Sequence, residues 1–84
     1  MYCTYILYSQ SKDRYYIGHS ADLDDRLKRH NGGRSKSTKY GIPWKIVYTK
    51  EFATKLEAYR HEMHIKRQKS RDFILKLIES TKKL

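Results

Sequence analysis

The feature that most constrains the fold is a pair of tyrosine-rich segments near the start of the chain. Residues 4–8 and 15–20 are rich in tyrosine and isoleucine, whereas residues 9–14 between them are all polar. Aromatic and β-branched residues favour strands, and a short polar segment between two such runs favours a turn. The pattern therefore predicts a β-hairpin.

A helical segment follows the hairpin directly, over residues 21–30. Ser20 or Asp22 can cap its exposed amides, because short polar side chains accept hydrogen bonds from the first turn of a helix. Leu23 and Leu27 are four residues apart and predict the buried edge of this helix.

The remaining segments complete a small mixed fold. Residues 44–50 alternate apolar and polar, which predicts a third strand, whereas the chain from residue 53 onward and residues 69–78 have helical periodicity. We therefore expect an α/β (α+β) fold, with a small three-stranded antiparallel sheet flanked by about three helices in the order β-β-α-β-α-α. Residues 1–80 form one domain in this prediction, and residues 81–84 form a frayed basic tail.

One carboxylate falls on the core-facing side of the helix that begins near residue 53. At 100° per residue, apolar positions surround a stripe whose centre holds Glu62 and Lys66. Burying an unpartnered carboxylate costs several kcal/mol, so Glu62 must be paired, protonated or bound to a cation. An ion pair with Lys66 or with an arginine of the first helix is the alternative to a metal ion. The surrounding apolar positions are Leu56, Ala58, Tyr59, Met63 and Ile65.

The charge of the chain predicts a polyanionic partner. Its 84 residues carry 19 Lys and Arg against 9 Asp and Glu, a formal net charge of +10. Nucleic acid is favoured over a membrane surface, since the cations are spread along the chain and no strongly apolar helical face accompanies them. Residues 34–43 alternate cations with hydroxyls, which is typical either of a solvated connection or of a phosphate-binding loop.

Other features narrow the function classes. Cys3, the single cysteine, is expected to be a small buried residue, and no disulfide can form within the chain. No signal peptide or membrane span is recognisable, which predicts a cytoplasmic protein. His61 and His64 fall off the stripe of Glu62, so we expect them to be solvated and do not expect a histidine-rich zinc site.

Several motifs occur at fixed spacing along these elements. The first strand carries Cys3-Thr4-Tyr5, the second carries Tyr16-Ile17-Gly18, and the following helix carries Arg26 ten residues beyond Tyr16. The later helix carries Ala58-x-x-x-Glu62-x-x-x-Lys66. Over essentially the whole chain this arrangement resembles the GIY-YIG nuclease superfamily, with the first name-giving tripeptide reduced to its tyrosine. In length it is most similar to short members consisting of the nuclease domain alone; the bacterial excision-repair incision subunit carries the same domain at its N-terminus.

The resemblance implies a metal-dependent endonuclease that hydrolyses DNA phosphodiesters, with structure-dependent or weak sequence preference, in DNA repair or recombination. It implies one divalent cation, Mg²⁺ or Mn²⁺, held by Glu62, and no small-molecule cofactor. A strand tyrosine would be the general base and a helix arginine would steady the scissile phosphate. His30 would help to position the nucleophile, and His19 stands where some relatives have lysine. The implied catalytic residues are Tyr5, Tyr16, His19, Arg26 and His30.

The residues themselves support a site at the hairpin. A symmetric turn places Tyr5 almost opposite Gly18, whose missing side chain leaves space beside the phenol. Tyrosine is a poor base at its usual pKa of about 10, but nearby cations favour the phenolate. Arg26 and His30, one helical turn apart, are placed to supply such a charge.

Three functions remain open on this sequence. The first is the endonuclease, with a separate protein partner possible as the source of targeting. The second is a catalytically weak module that binds DNA or RNA and keeps the fold. The third is a structural component of a ribonucleoprotein, which predicts no pocket around Glu62. For the endonuclease, the residues expected to contact the nucleic-acid backbone are Arg34, Lys36, Lys39, Lys66 and Lys69.

Overall fold

The computed structural model describes residues 1–81, which form three strands and three α-helices in the predicted order. Thr81, which we placed in the frayed tail, is instead the last residue of a helix, and residues 82–84 of that tail lie outside the described residues. No helix within residues 1–81 has the length and apolar character needed to cross a membrane. The elements are β1 (Tyr2–Ser9), β2 (Arg14–Ser20), α1 (Leu23–Asn31), a 3-10 helix (Lys39–Gly41), β3 (Trp44–Phe52), α2 (Lys55–Gln68) and α3 (Arg71–Thr81).

The sheet is antiparallel throughout, with strand order β2-β1-β3, so β1 is central and β2 lies at an edge. The hairpin register pairs Tyr5 with Gly18, which confirms the pairing predicted from the turn. The α+β fold class is confirmed as well. A register shift between Ile6 and Leu7 interrupts the β1–β3 ladder.

Side chains alternate between the two faces of β1 and divide the core in two. Tyr5 and Leu7 are buried on the face that α1 covers, together with Trp44. Ile6 is buried on the opposite face, which α2 and α3 cover. Thr4 shares that second face and is fully buried, and its Oγ1 donates to the carbonyl of Ala58 at 2.7 Å. This hydrogen bond ties α2 to the centre of the sheet.

The helix ends follow local capping rules. Asp22, one of the two predicted caps, accepts a hydrogen bond from the backbone N–H of Asp25. Thr54 does the same for α2, so this helix begins at Lys55 rather than near residue 53. Lys69 ends α2 in the left-handed conformation, with φ of 46°.

The burial pattern of α2 differs from the predicted stripe. Ala58, Glu62 and Ile65 are buried, as expected for the core-facing side. Leu56 and Tyr59, which we placed beside that stripe, are 55% and 46% exposed. A sheet of three strands is too narrow to cover the whole apolar surface of the helix.

We predict that Gly18→Ala destabilises the fold. A Cβ at this position would lie 2.6 Å from Tyr5 Oη and 2.8 Å from its Cζ, closer than a Cβ approaches any non-bonded heavy atom in a folded chain. Overpacking of this kind costs about 1–3 kcal/mol, measurable by urea denaturation. In a Tyr5→Phe background the same substitution should cost less, because the nearest of these atoms is absent. A loss below about 0.5 kcal/mol in the first case would contradict the packing described here.

Candidate active site

An open pocket of about 420 Å³ lies at the edge strand β2, between α1 and α2. It brings together side chains from both strands of the hairpin and from two helices. Five of the six catalytic and metal-binding residues predicted from the sequence line it: Tyr5, Tyr16, His19, Arg26 and Glu62. His30, the sixth, contacts this group from behind Tyr5.

The strand alternation explains how the pocket receives side chains from both faces of the sheet. Tyr16 and Gly18 share the α1 face with Tyr5, and the Tyr5 and Tyr16 ring centroids are 6.5 Å apart. His19, one residue beyond Gly18, points to the other face and reaches Glu62 on α2. Because β2 is an edge strand, the two sets meet around its open side.

Glu62 is 7% exposed, and both of its carboxylate oxygens have partners. Lys66 Nζ donates to Oε2 at 2.6 Å, so the predicted alternative of an i,i+4 ion pair is present. His19 Nδ1 lies 2.6 Å from Oε1, a contact that the sequence did not indicate. The two residues are 43 positions apart, and only the packing of α2 against β2 brings them together. Glu62 nevertheless lines the open pocket, so the expectation of no pocket there, which belongs to the ribonucleoprotein interpretation, is wrong.

A chain of buried polar side chains supports Tyr5. The Tyr5 hydroxyl lies 3.2 Å from His30 Nε2, and His30 Nδ1 lies 2.7 Å from the hydroxyl of Thr38. The indole N–H of Trp44 donates to the backbone carbonyl of Thr38 at 2.6 Å. Thr38 belongs to the loop read from the sequence as a solvated or phosphate-binding connection, yet it is fully buried.

The electrostatics of this chain differ from the expectation for Tyr5 and His30. Burial raises the pKa of Tyr5, and the nearby Arg26 guanidinium opposes the effect only in part. Arg26 thus acts in the predicted direction and favours the phenolate, but desolvation of the phenolate outweighs it, so the net shift in the pKa of Tyr5 is upward. Burial and Arg26 also lower the pKa of His30, so His30 is neutral at pH 7 and supplies no positive charge.

A second pocket adjoins the first and shares Tyr16 and Arg26 with it. Arg29, Arg34 and His30 complete its lining together with Ser35. Of its arginines, Arg26 and Arg29 lie on α1, and Arg34 lies in the loop that follows α1. Of the predicted backbone-contacting residues, Arg34 lines this pocket and Lys66 binds Glu62, whereas Lys36, Lys39 and Lys69 are exposed outside both pockets.

The donor set at the pocket limits which metal ions it suits. Within residues 1–81, no group of three or more histidine, cysteine, aspartate or glutamate side chains is arranged to hold a metal ion. A structural zinc site needs four such ligands and a catalytic one three. A single carboxylate is enough for Mg²⁺, which keeps several waters and is often bound by one carboxylate together with substrate phosphates. Glu62 therefore fits a hard, largely hydrated cation.

Comparison with known proteins agrees with this geometry. A profile described as the GIY-YIG catalytic domain matches residues 1–76. The chain belongs to the GIY-YIG family. A GIY-YIG domain indicates a nuclease, which is a class of hydrolase.

Individual relatives of this GIY-YIG chain include bacterial and eukaryotic proteins. A UPF0213 protein of Staphylococcus saprophyticus is 41% identical over 76 residues, covering 88% of this chain and 92% of the relative. A UPF0213 protein of Streptococcus pneumoniae is 43% identical over 56 residues, and that match spans 66% of this chain and only 57% of the relative. The structure-specific endonuclease subunit slx1 of Schizosaccharomyces pombe is 41% identical over 73% of this chain and 25% of its own length.

A solved structure shares the fold of this GIY-YIG chain. The solution NMR structure of the UPF0213 protein BH0048 from Bacillus halodurans superposes with a TM-score of 0.59 at 33% identity. The match covers 94% of this chain and 84% of that protein.

We predict that acid destabilises the fold through buried histidines. Burial lowers the pKa of His30 and of His61, which is half-buried against the Tyr48 hydroxyl rather than solvated as we expected. The unfolded chain therefore binds more protons below a pH of about 6.5, and the free energy of unfolding falls as pH decreases from 7 to 5. His61→Gln should reduce this dependence, since glutamine can still bond Tyr48 and does not titrate. Urea denaturation at several pH values measures both; stability that is constant or rises toward pH 5 would contradict the assignment.

Proposed function

We propose that the chain is a metal-dependent endonuclease that hydrolyses DNA phosphodiester bonds, with selectivity for the structure of the DNA rather than its sequence. The observation that carries the proposal is the convergence of Tyr5, Tyr16, Arg26 and Glu62 in one pocket open to solvent. Phosphodiester hydrolysis needs a proton acceptor, positive charge beside the phosphate and a hard cation. These four side chains match those requirements.

Glu62 would hold one Mg²⁺ or Mn²⁺, which when bound would stabilise the negative charge that accumulates on the phosphate. The ammonium of Lys66 already places a positive charge on this carboxylate at 2.6 Å. The Lys66 side chain is 44% exposed, so its ammonium can move into water as the cation takes its place on the buried carboxylate. His19 holds the other oxygen and orients the carboxylate toward the pocket.

Arg26 binds the scissile phosphate, since its guanidinium lines both pockets and can donate two hydrogen bonds to phosphate oxygens. Tyr16 is the better proton acceptor of the two phenols because it is only half-buried, whereas burial raises the pKa of Tyr5. The neutral Tyr5 would instead donate a hydrogen bond within the pocket.

The DNA backbone would continue from the first pocket into the second, where Arg29 and Arg34 lie close to Arg26. Lys36, Lys39 and Lys69 are exposed outside both pockets and would add further contacts to the DNA backbone. Contacts of this kind position the duplex without reading bases, which supports structure-dependent recognition. The match to a structure-specific endonuclease subunit supports a role in repair or recombination, with a partner protein supplying part of the targeting.

One observation favours a second candidate, a nucleic-acid-binding module with weak catalysis. Both oxygens of Glu62 are engaged by His19 and Lys66, as in a purely structural ion pair. In that case the positive surface binds DNA or RNA and no metal is needed.

Replacing Glu62 separates the two functions. We expect Glu62→Gln to slow Mg²⁺- or Mn²⁺-dependent nicking of a supercoiled plasmid by at least about 100-fold, since charge stabilisation by a bound cation is worth several kcal/mol. DNA binding, measured by fluorescence anisotropy, should persist.

Glu57→Gln is the matched control, because Glu57 is an exposed glutamate on the same helix and lines neither pocket. It should cleave at the unmodified rate. Absence of metal-dependent cleavage in the unmodified chain, with binding retained, would overturn the enzyme proposal in favour of the binding module.

We predict that an arginine of the second pocket contributes to the salt dependence of DNA binding. If Arg34 contacts a phosphate, Arg34→Ala should make the slope of log K against log salt concentration less negative by about 0.9 for duplex DNA. Lys76→Ala, a change at an exposed cation of α3 outside both pockets, should leave the slope unchanged. Equal slopes for Arg34→Ala and the unmodified chain would exclude this contact.

A further inference from the structure

Thr38 lies at the end of the chain of buried polar side chains that supports Tyr5, and it lines neither pocket. We propose that Thr38 is a positioning residue that fixes the tautomer of His30, so that His30 donates its Nε2 hydrogen to Tyr5 and the phenolic hydrogen of Tyr5 faces the pocket. The catalytic part of this inference rests on the proposed nuclease function. The tautomer itself does not.

The hydroxyl of Thr38 has few ways to satisfy its hydrogen. Thr38 is fully buried, so water does not reach it. Within residues 1–81, the Nδ1 atom of His30 at 2.7 Å is its hydrogen-bond partner. His30 is itself only 3% exposed, and its other ring nitrogen faces Tyr5 Oη at 3.2 Å.

Two proton arrangements are compatible with these distances. Burial and Arg26 lower the pKa of His30 and so favour its neutral form. A neutral imidazole carries a single N–H, on either Nδ1 or Nε2. If that hydrogen were on Nδ1, it would point at Thr38 and leave the threonine O–H buried without an acceptor. If it is on Nε2, the threonine O–H donates to Nδ1 and the histidine N–H donates to Tyr5. A buried donor without a partner costs more than an unused lone pair, so the geometry favours the Nε2–H tautomer.

The backbone around Thr38 holds its side chain in place. The Trp44 indole and the backbone N–H of Gly41 both donate to the Thr38 carbonyl, at 2.6 and 3.1 Å. The N–H of Thr38 donates to the carbonyl of Ser35. Thr38 thus stands in a hydrogen-bonded turn directly before the 3-10 helix, which suits a residue that orients another side chain.

The tautomer decides what Tyr5 can do. When Tyr5 Oη accepts the N–H of His30, its own hydrogen must point elsewhere, and the pocket is the open direction. Tyr5 then offers a donor to a phosphate oxygen, and Tyr16 is left as the proton acceptor. With the opposite tautomer, the Tyr5 hydroxyl would donate its hydrogen to Nε2 of His30, and this hydrogen would not be available to the substrate.

Nitrogen-15 NMR of the imidazole rings tests the tautomer directly, without any assay of cleavage. In the unmodified chain we expect His30 to show a protonated Nε2 and an unprotonated Nδ1. The Thr38→Val variant keeps the shape of the side chain and removes the hydroxyl, so His30 should show a mixture of both tautomers. Thr38→Ser should restore the single tautomer. A protonated Nδ1 in the unmodified chain, or an unchanged spectrum in Thr38→Val, would overturn the proposal.

Kinetics test the consequence for Tyr5. At saturating enzyme, we expect Thr38→Val to lower the single-turnover cleavage rate about 10-fold with an unchanged dissociation constant for DNA, and Thr38→Ser to recover most of the rate. An unaltered rate in Thr38→Val would exclude the catalytic role of the tautomer. If the unmodified chain cleaves no DNA yet shows the predicted spectra, the nuclease proposal fails and the tautomer assignment stands.

Discussion

The close packing of Tyr5 against Gly18 is the contact on which the candidate site depends. A single added carbon at Gly18 would lie 2.6 Å from the tyrosine hydroxyl, so the phenol occupies space that only glycine leaves free. The hairpin register that pairs these residues also places Tyr16 and His19 on either side of Gly18. One cross-strand pair thereby aligns a phenol with the α1 face and an imidazole with the α2 face.

Glu62 can have both a structural and a functional role, because its two carboxylate oxygens have different partners. The carboxylate is held on one side by His19, which lies on the edge strand, and on the other by Lys66, whose side chain is partly exposed to solvent. The contact with His19 sets the direction of the carboxylate, and the contact with Lys66 neutralises its charge in the absence of a substrate. A buried carboxylate without either partner would cost several kcal/mol, so the small domain could not keep a vacant anionic ligand.

Much of this fold was predictable because its signals are local. The hairpin, the third strand and the element order follow from residue periodicity, and the pairing of Tyr5 with Gly18 follows from the symmetry of a short turn. The contact between His19 and Glu62 was not predictable, since it joins residues 43 positions apart through the packing of α2 on β2. The role of Thr38 was hidden for another reason: its neighbours are lysines and serines, and only the fold shows that its side chain is fully buried. The desolvation of Tyr5 likewise cannot be predicted from composition. Nearby cations suggested a lowered pKa for Tyr5, whereas its burial raises that pKa.

The charge distribution of the pocket favours the arrival of a phosphate over that of a neutral ligand. A chain with a net charge of +10 keeps the interior of its site almost neutral: His30 and Tyr5 are uncharged, and Glu62 is balanced by Lys66. Arg26 then remains as an unbalanced charge at the boundary of the two pockets, since within residues 1–81 no carboxylate lies within ion-pair distance of it. A diester phosphate brings the one negative charge that this guanidinium lacks. In the proposed enzyme, a divalent ion in place of the Lys66 ammonium would add one positive charge to the site, which would stabilise the further negative charge that develops on phosphorus. The buried, neutral side chains of the site orient one another, while the exposed arginine attracts the phosphate. Because these two tasks fall to different side chains, a small core can position the site without burying an unpaired charge.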